Sequence, residues 1–213
     1  MDIPMHPNPI AGTLIPAAPS VRYLIDRSLP QQTTGRSSPT AVHLLSRHTV
    51  RVRYVMRQRV LSLGQDYWVT DDAGNRAFLV DGKVLAFRRT FELKGPRGEV
   101  YAVGRKRLIA LRDTMVVRVG GAHAATVRKK LFSPIRHSFT IALANGERWE
   151  ARGDLIEKNY TLEGPRGVVA QTSRKWFRIR DTYGVEIYHP DVPLALAIVV
   201  CIDELVAAER GRE

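Results

Sequence analysis

Leu194-Ala-Leu-Ala-Ile-Val-Val-Cys-Ile202 is the stretch on which the fold turns. It is continuously apolar and stops at Asp203-Glu204. A bilayer crossing needs about 20 such residues, so this run belongs inside a protein core. Pro193 suits the first turn of a helix and Asp191 suits its cap. The expected helix therefore runs from about residue 194 to 208. Its apolar residues face every direction through Ile202, and a helix hydrophobic all round has to be enclosed. Asp203, Glu204, Glu209 and Arg210 are expected to mark where the chain leaves the interior.

The enclosure comes from the residues before it. From Val52 onward, short alternating runs are separated by turn signals roughly every 8 to 12 residues, the pattern of an all-β sandwich or barrel. Asp72-Ala-Gly74-Asn75 suits a type I turn with glycine in the left-handed position. Asp81-Gly82, Gly120-Gly121 and Asn145-Gly146 suit two-residue hairpins. Leu85, Phe87, Phe91 and Leu93 alternate with wetter residues, although Arg89 interrupts the apolar side; Phe139, Ile141 and Leu143 repeat the period of two.

An internal duplication supplies the topology. Phe91-Glu-Leu-Lys-Gly-Pro-Arg-Gly98 matches Tyr160-Thr-Leu-Glu-Gly-Pro-Arg-Gly167, an offset of 69 residues, and Arg105-Lys106 matches Arg174-Lys175 at the same offset. After a slip of one residue, Arg112-Asp113-Thr114 matches Arg180-Asp181-Thr182. Two such halves would each expose unpaired strand edges, and closing into one barrel removes them. About twelve strands enclose more space than their own side chains fill, and the apolar helix occupies the remainder. The expected class is all-β with one helix: a closed antiparallel barrel around a buried C-terminal helix, over residues 52–208, with 209–213 as a short tail.

Residues 1–51 read differently. Seven of the chain's twelve prolines fall there, at 4, 7, 9, 16, 19, 30 and 39. Proline at that density blocks both helix and sheet ladders, and the segment reads as a disordered tail.

Beyond the periodicity, particular stretches resemble a known family. Leu61-Ser-Leu-Gly64, Asp71-Asp-Ala-Gly-Asn75, Val80-Asp-Gly-Lys83 and Arg128-Lys-Lys-Leu-Phe-Ser-Pro134 are similar, in order, to LURP-one-related proteins. So are Lys175-Trp-Phe177, Arg180-Asp-Thr-Tyr-Gly-Val185 and Leu196-Ala-Ile-Val-Val-Cys-Ile-Asp203. The resemblance covers about residues 52–208. It implies a twelve-stranded barrel around a hydrophobic helix, shared with tubby C-terminal domains and phospholipid scramblases, and it implies no activity. The headgroup-binding residues of tubby domains have no counterpart here. The acidic calcium segment and membrane-inserting end of scramblases are missing, and fold likeness alone does not carry function.

The net charge of +12 favours anionic partners, such as anionic lipid, a phosphorylated ligand or nucleic acid. The tail accounts for +3, leaving +9 on residues 52–213. The candidate anion- or lipid-binding residues are Arg105, Lys106, Arg128, Lys129, Lys130, Arg136, Arg174 and Lys175. The duplication suggests that the two Arg-Lys pairs share one rim. The competing reading is a solvated face whose charges keep the protein from associating. Histidines are scattered without metal-ligand spacing, and Asp71–Asn75 lacks the alternating acids of a calcium loop. No phosphate-binding glycine loop, nucleophile elbow or zinc-protease signature occurs, so neither a cofactor nor a catalytic residue is expected. The Arg-Asp-Thr pairs read as turn elements, and the three tryptophans as packing. Cys201 is the only cysteine, so no internal disulfide forms. The expectation is a non-enzymatic cytoplasmic binding module, peripheral at the membrane if its ligand is lipid. A nucleic-acid-associated adaptor is the runner-up and an enzyme ranks third.

An alternative start at Val52 or Met56 would account for the tail. Mass spectrometry of the natural protein is then expected to find the N-terminus at one of these, and a peptide from residues 22–51 would overturn the idea.

Overall fold

A computed structural model describes residues 51–57, 66–85, 88–107, 113–130, 138–176 and 182–210. The expected tail (through residue 50), Leu61–Gly64, Phe87, Arg112, Arg136, Phe177 and Arg180-Asp181 lie outside the described residues.

Twelve strands follow one another along the chain. They are β1 (Val52–Arg57), β2 (Tyr67–Asp71), β3 (Arg76–Leu85), β4 (Arg88–Lys94), β5 (Val100–Lys106) and β6 (Thr114–Val119). The second six are β7 (Ala122–Lys129), β8 (Phe139–Leu143), β9 (Arg148–Asp154), β10 (Asn159–Gly164), β11 (Gly167–Ser173) and β12 (Thr182–Ile187). A single 3-10 turn (Arg174–Trp176) follows β11, and helix α1 (Val192–Arg210) ends the described chain. Each strand pairs antiparallel with its sequence neighbours, and β1 pairs with β12, so the sheet closes into a barrel with no free edge. The duplicated Gly-Pro-Arg-Gly segments join β4 to β5 and β10 to β11, six strands apart.

The period of two decides what fills the barrel. Tyr54, Met56, Phe78, Val80, Phe91, Leu93, Met115, Val117, Phe139, Ile141, Tyr183 and Val185 are all buried in one continuous core that includes the residues of α1. Asp191 caps α1, its Oδ1 accepting from the Leu194 N–H at 3.0 Å. The helix is longer than its apolar run. Leu205, Val206 and Ala208 are still buried, so the chain leaves the interior later than Asp203-Glu204 suggested.

Three turn expectations need correction. Asp81-Gly82 is not a hairpin but lies inside the ten-residue β3, where Asp81 is ion-paired with Lys94 and Gly82 stands opposite Phe91. The run from Leu85 to Leu93 is not one strand, since Leu85 of β3 pairs with Arg88 of β4, and Arg89 stands two residues from Phe91 in the same unbroken ladder. Asn145-Gly146 belongs to a longer loop closed by the Leu143 N–H donating to the Glu147 carbonyl at 2.9 Å, with Gly146 at φ 88°. Gly120-Gly121 does form the two-residue hairpin, with both φ positive. A fourth glycine matters for packing: a Cβ on Gly104 of β5 would overlap the Phe91 ring on β4.

The chain's first and last strands meet at the β1–β12 seam, where no hairpin holds them together. Glu186 of β12 points outward there and is only 2% exposed. Its Oε1 accepts from Arg53 Nε at 2.8 Å and from Arg51 at 2.9 Å, and its Oε2 from the Tyr188 hydroxyl at 2.7 Å. Arg53 also lies 5.3 Å from the centre of the Trp176 ring. Burial alone would raise the Glu186 carboxyl, but the hydrogen bonds from Arg51, Tyr188 and Arg53 outweigh it and hold it down to about 2.

A folded-state value near 2 against 4.5 unfolded corresponds to about 3 kcal/mol. That stability is complete above pH 4.5 and is lost as the pH falls towards 2. Glu186→Gln should therefore lower the urea midpoint at pH 7 and flatten its decline in acid. An unchanged acid profile would show that the clasp contributes nothing.

Candidate functional site

Alternation of strand direction gives the barrel two unlike ends. At one, tight turns join β2 to β3, β4 to β5, β6 to β7, β8 to β9 and β10 to β11. The other is where odd-numbered strands end, and α1 reaches it after entering from the turn end. Three contacts fix the helix there: Lys129 to Glu209 at 2.5 Å, Lys158 to Asp203 at 2.7 Å, and Arg210 to the Ile156 carbonyl at 3.2 Å.

The Asp203 contact is the polar feature of the interior. Tyr183 of β12 donates its hydroxyl to Asp203, and the Lys158 ammonium sits 5.7 Å from the Tyr183 ring centre. Burial pushes the Tyr183 and Tyr160 hydroxyls well above their ordinary range, and the nearby Asp203 charge adds to it. Lys158 has φ 57°, a conformation usually left to glycine or asparagine. The ion pair with Asp203 at 2.7 Å gives the lysine at that position its role.

All seven described candidate residues lie at this helix-exit end, but they do not converge. Arg105-Lys106 closes β5, whereas Arg174-Lys175 follows β11, six strands away in a ring of twelve. The duplicated pairs are therefore on opposite sides of the rim. Several candidates are also neutralised. Lys106 pairs with Asp113 at 2.9 Å, Lys129 with Glu209, Lys130 with Glu150, and Arg174 with Glu157 at 2.6 Å. Among the described residues Asp113 is thus held by Lys106. Arg105, Arg128 and Lys175 have no carboxylate partner among the described residues.

Of these, Arg105 and Arg128 are near neighbours. Arg105 lies opposite Val116 of β6, and Arg128 lies opposite Thr114, two residues along the same strand. Arg107, just past β5, donates its backbone N–H to the Thr114 carbonyl, which sets it in the same row as Arg128. Three unpaired arginines thus share the outer wall across β5, β6 and β7. Adjacent strands are about 4.8 Å apart, so β5 and β7 are separated by about 10 Å, within the joint reach of arginine side chains on one anion.

A sequence signal for this surface was available. Residues 100–146 carry nine Lys and Arg but one acid, Asp113, a net of +8 out of the +9 on residues 52–213. Averaging charge over the whole folded part hides it. Among the described residues no cluster of metal-ligating groups occurs, and no helix is long and apolar enough to cross a membrane.

Comparison with known proteins places this architecture. A family model described as LURP-one-related matches residues 52–203. Uncharacterized protein YxjI of Bacillus subtilis (strain 168) is 25% identical over 154 residues, 71% of this chain and 92% of its own. An Arabidopsis thaliana protein of known X-ray structure shares the fold, with a TM-score of 0.53 at 20% identity, over 72% of this chain and 90% of that one.

Removing one partner of the Lys158–Asp203 pair would leave a charge without compensation beside the core. Lys158→Met is expected to destabilise by about 3 kcal/mol in urea denaturation. The double variant Lys158→Met, Asp203→Leu should lose less than the single. A double variant as unstable as the sum of both singles would refute the pairing.

Proposed function

We propose that this protein, which belongs to the LURP-one-related family, is a non-enzymatic binding module for phosphate-bearing anions, either lipid headgroups or a phosphorylated ligand. Its working residues are Arg105, Arg107 and Arg128. The supporting observation is that these three stand together without carboxylate partners among the described residues, whereas most described cations elsewhere on the barrel are paired. An unpaired guanidinium keeps its planar fork of donors available for bidentate contact with phosphate. Lys106, Lys129, Lys130 and Arg174 would first have to leave their own carboxylates, and Lys175 is on the far side. They contribute long-range field rather than contacts.

β5, β6 and β7 contain no Asp or Glu, and Asp113, just before β6, is engaged by Lys106 at 2.9 Å rather than standing beside a nucleophile or a second acid, which favours binding over catalysis. Nucleic acid would answer to the same charge. However, the outward positions around the arginines are Val103, Val116, Thr114 and Thr126, and the His123 ring beside them is tied to Thr126 at 2.9 Å, so the described residues offer no row of aromatic rings on which successive bases could stack.

Each cation near an anionic surface contributes about 1 kcal/mol, so the triple variant Arg105→Ala, Arg107→Ala, Arg128→Ala should weaken binding roughly a hundredfold. The full chain is to be sedimented with neutral and anionic vesicles and titrated with inositol hexakisphosphate as a soluble phosphate probe. Binding to anionic vesicles or the probe that the variant loses supports the reading. Wild-type protein that binds neither would overturn it.

A further inference from the structure

We propose that the outer wall formed by β5 to β8 docks the barrel side-on against an anionic lipid bilayer. The inference rests on the anion-binding reading above, and adds the occupant and its orientation. Four consecutive strands, with the sequences VYAVGRK, TMVVRV, AHAATVRK and FTIAL, contain no carboxylate. Acids return on the strands at either side, where Asp81, Glu92 and Glu150 are matched by cations and Asp154 accepts from the Glu157 backbone N–H. On the β3–β4 side, Asp81 pairs with Lys94 and Glu92 with Lys83; on β9, Glu150 pairs with Lys130 and Arg152. The wall is a bounded, acid-free window.

Its cations are spread out. Arg118 stands opposite Val103, level with a point four residues along β5 from Arg107, or about 14 Å. Arg148 of β9 continues the row of Arg105 through Val116, Thr126 and Ala142, four strand spacings or about 19 Å away. Arg118 donates to the Gly121 carbonyl at 2.9 Å, which orients it without neutralising it. Neither Arg118 nor Arg148 has a carboxylate partner among the described residues. Five guanidinium groups over such an area are too far apart to meet on one phosphate, and they suit an array of phosphates presented on a plane.

The side chains between them are small. Val103, Val116, Ala142, Thr126 and Thr140, together with a His123 ring tied back to Thr126, leave the arginines as the groups that reach furthest. A barrel wall with every strand paired on both sides also offers no free backbone edge, so attachment is through side chains. Reading a DNA groove takes a helix or ribbon that enters it, and this wall is convex. A bilayer needs only proximity of charge to charge.

The test uses the full chain and phosphatidylcholine vesicles with and without phosphatidylserine. Arg118→Glu with Arg148→Glu is compared with Arg166→Glu with Lys175→Glu, an equal change in net charge placed at β10–β11 and beyond β11. Both proteins are first checked for wild-type melting behaviour. The wall variant should lose roughly tenfold or more of its binding to anionic vesicles, and the control should stay within about threefold. Equal losses would mean that net charge acts without a face, and unchanged binding in both would remove the wall altogether; either overturns the inference. Tighter capture of duplex DNA than of vesicles at matched salt would overturn it as well. If the wild type ignores vesicles yet binds inositol hexakisphosphate through Arg105, Arg107 and Arg128, bilayer docking fails while the binding-module reading stands.

Discussion

The enclosure of α1 is the constraint on which the other features depend. A helix with Leu194, Leu196, Ile198, Val199, Val200 and Ile202 all buried has no side to offer to water, and twelve strands cannot fill their own lumen. Each solves the other's problem, and the inward side chains set where the helix sits. It packs against β5, β6, β7 and β12. On β5–β7 most inward residues are small or slender, Ala102, Gly104, Val117, Ala125 and Val127, with Met115 the larger one near the helix-exit end. Around the rest of the ring Tyr54, Phe78, Phe91, Trp149 and Tyr160 take up the space. The helix is displaced towards the strands that leave it room, and close packing at interior density follows on both sides.

That arrangement makes the lumen a core rather than a cup. The helix and the inner faces of the strands form one apolar cluster, with polar groups entering it at the exit end through Asp203, Lys158 and Tyr183. The outer wall and the rims are the surfaces it leaves open to a ligand. The strands that hold the helix most closely are also those with unpaired arginines on the other face. Since successive side chains on a strand point to opposite faces, the same short sequences meet both demands without conflict.

The architecture was legible because its signals are local. Period-two alternation, the paired glycines at 120 and 121, and the apolar run at 194–202 each speak for themselves. Asp81-Gly82 misled because local turn chemistry gave way to tertiary pairing: the residues opposite, Glu92 and Phe91, continue the ladder through them. The two Arg-Lys pairs do share the helix-exit rim, but topology keeps them apart on it. A duplication in a closed ring of twelve places equivalent residues half a circle apart, so identical motifs cannot converge on one ligand. Lys158 with Asp203 and Glu186 with Arg53 were not legible, because the partners are 45 and 133 residues apart and nothing local announces them.

The duplication does supply an internal control on what the fold itself requires. With the offset of 68 that relates β6 to β12, Arg118 occupies the position of Glu186. In the second half that position carries the buried acid that clasps Arg53 across the seam with β1. In the first half it faces His123 of β7, and the acid is replaced by a cation. The two seams differ in one mechanical respect: β12 and β1 are far apart in the chain, whereas β6 and β7 are joined by a two-residue hairpin. A hairpin closes its own seam, because the loop entropy of bringing its strands together is small. The β6–β7 seam therefore needs no acid to hold it, and stability does not dictate what charge stands there. Its positive charge is a property the barrel does not require in order to fold, which is why the β5–β8 wall, rather than the clasped seam opposite, is where a binding function is to be sought.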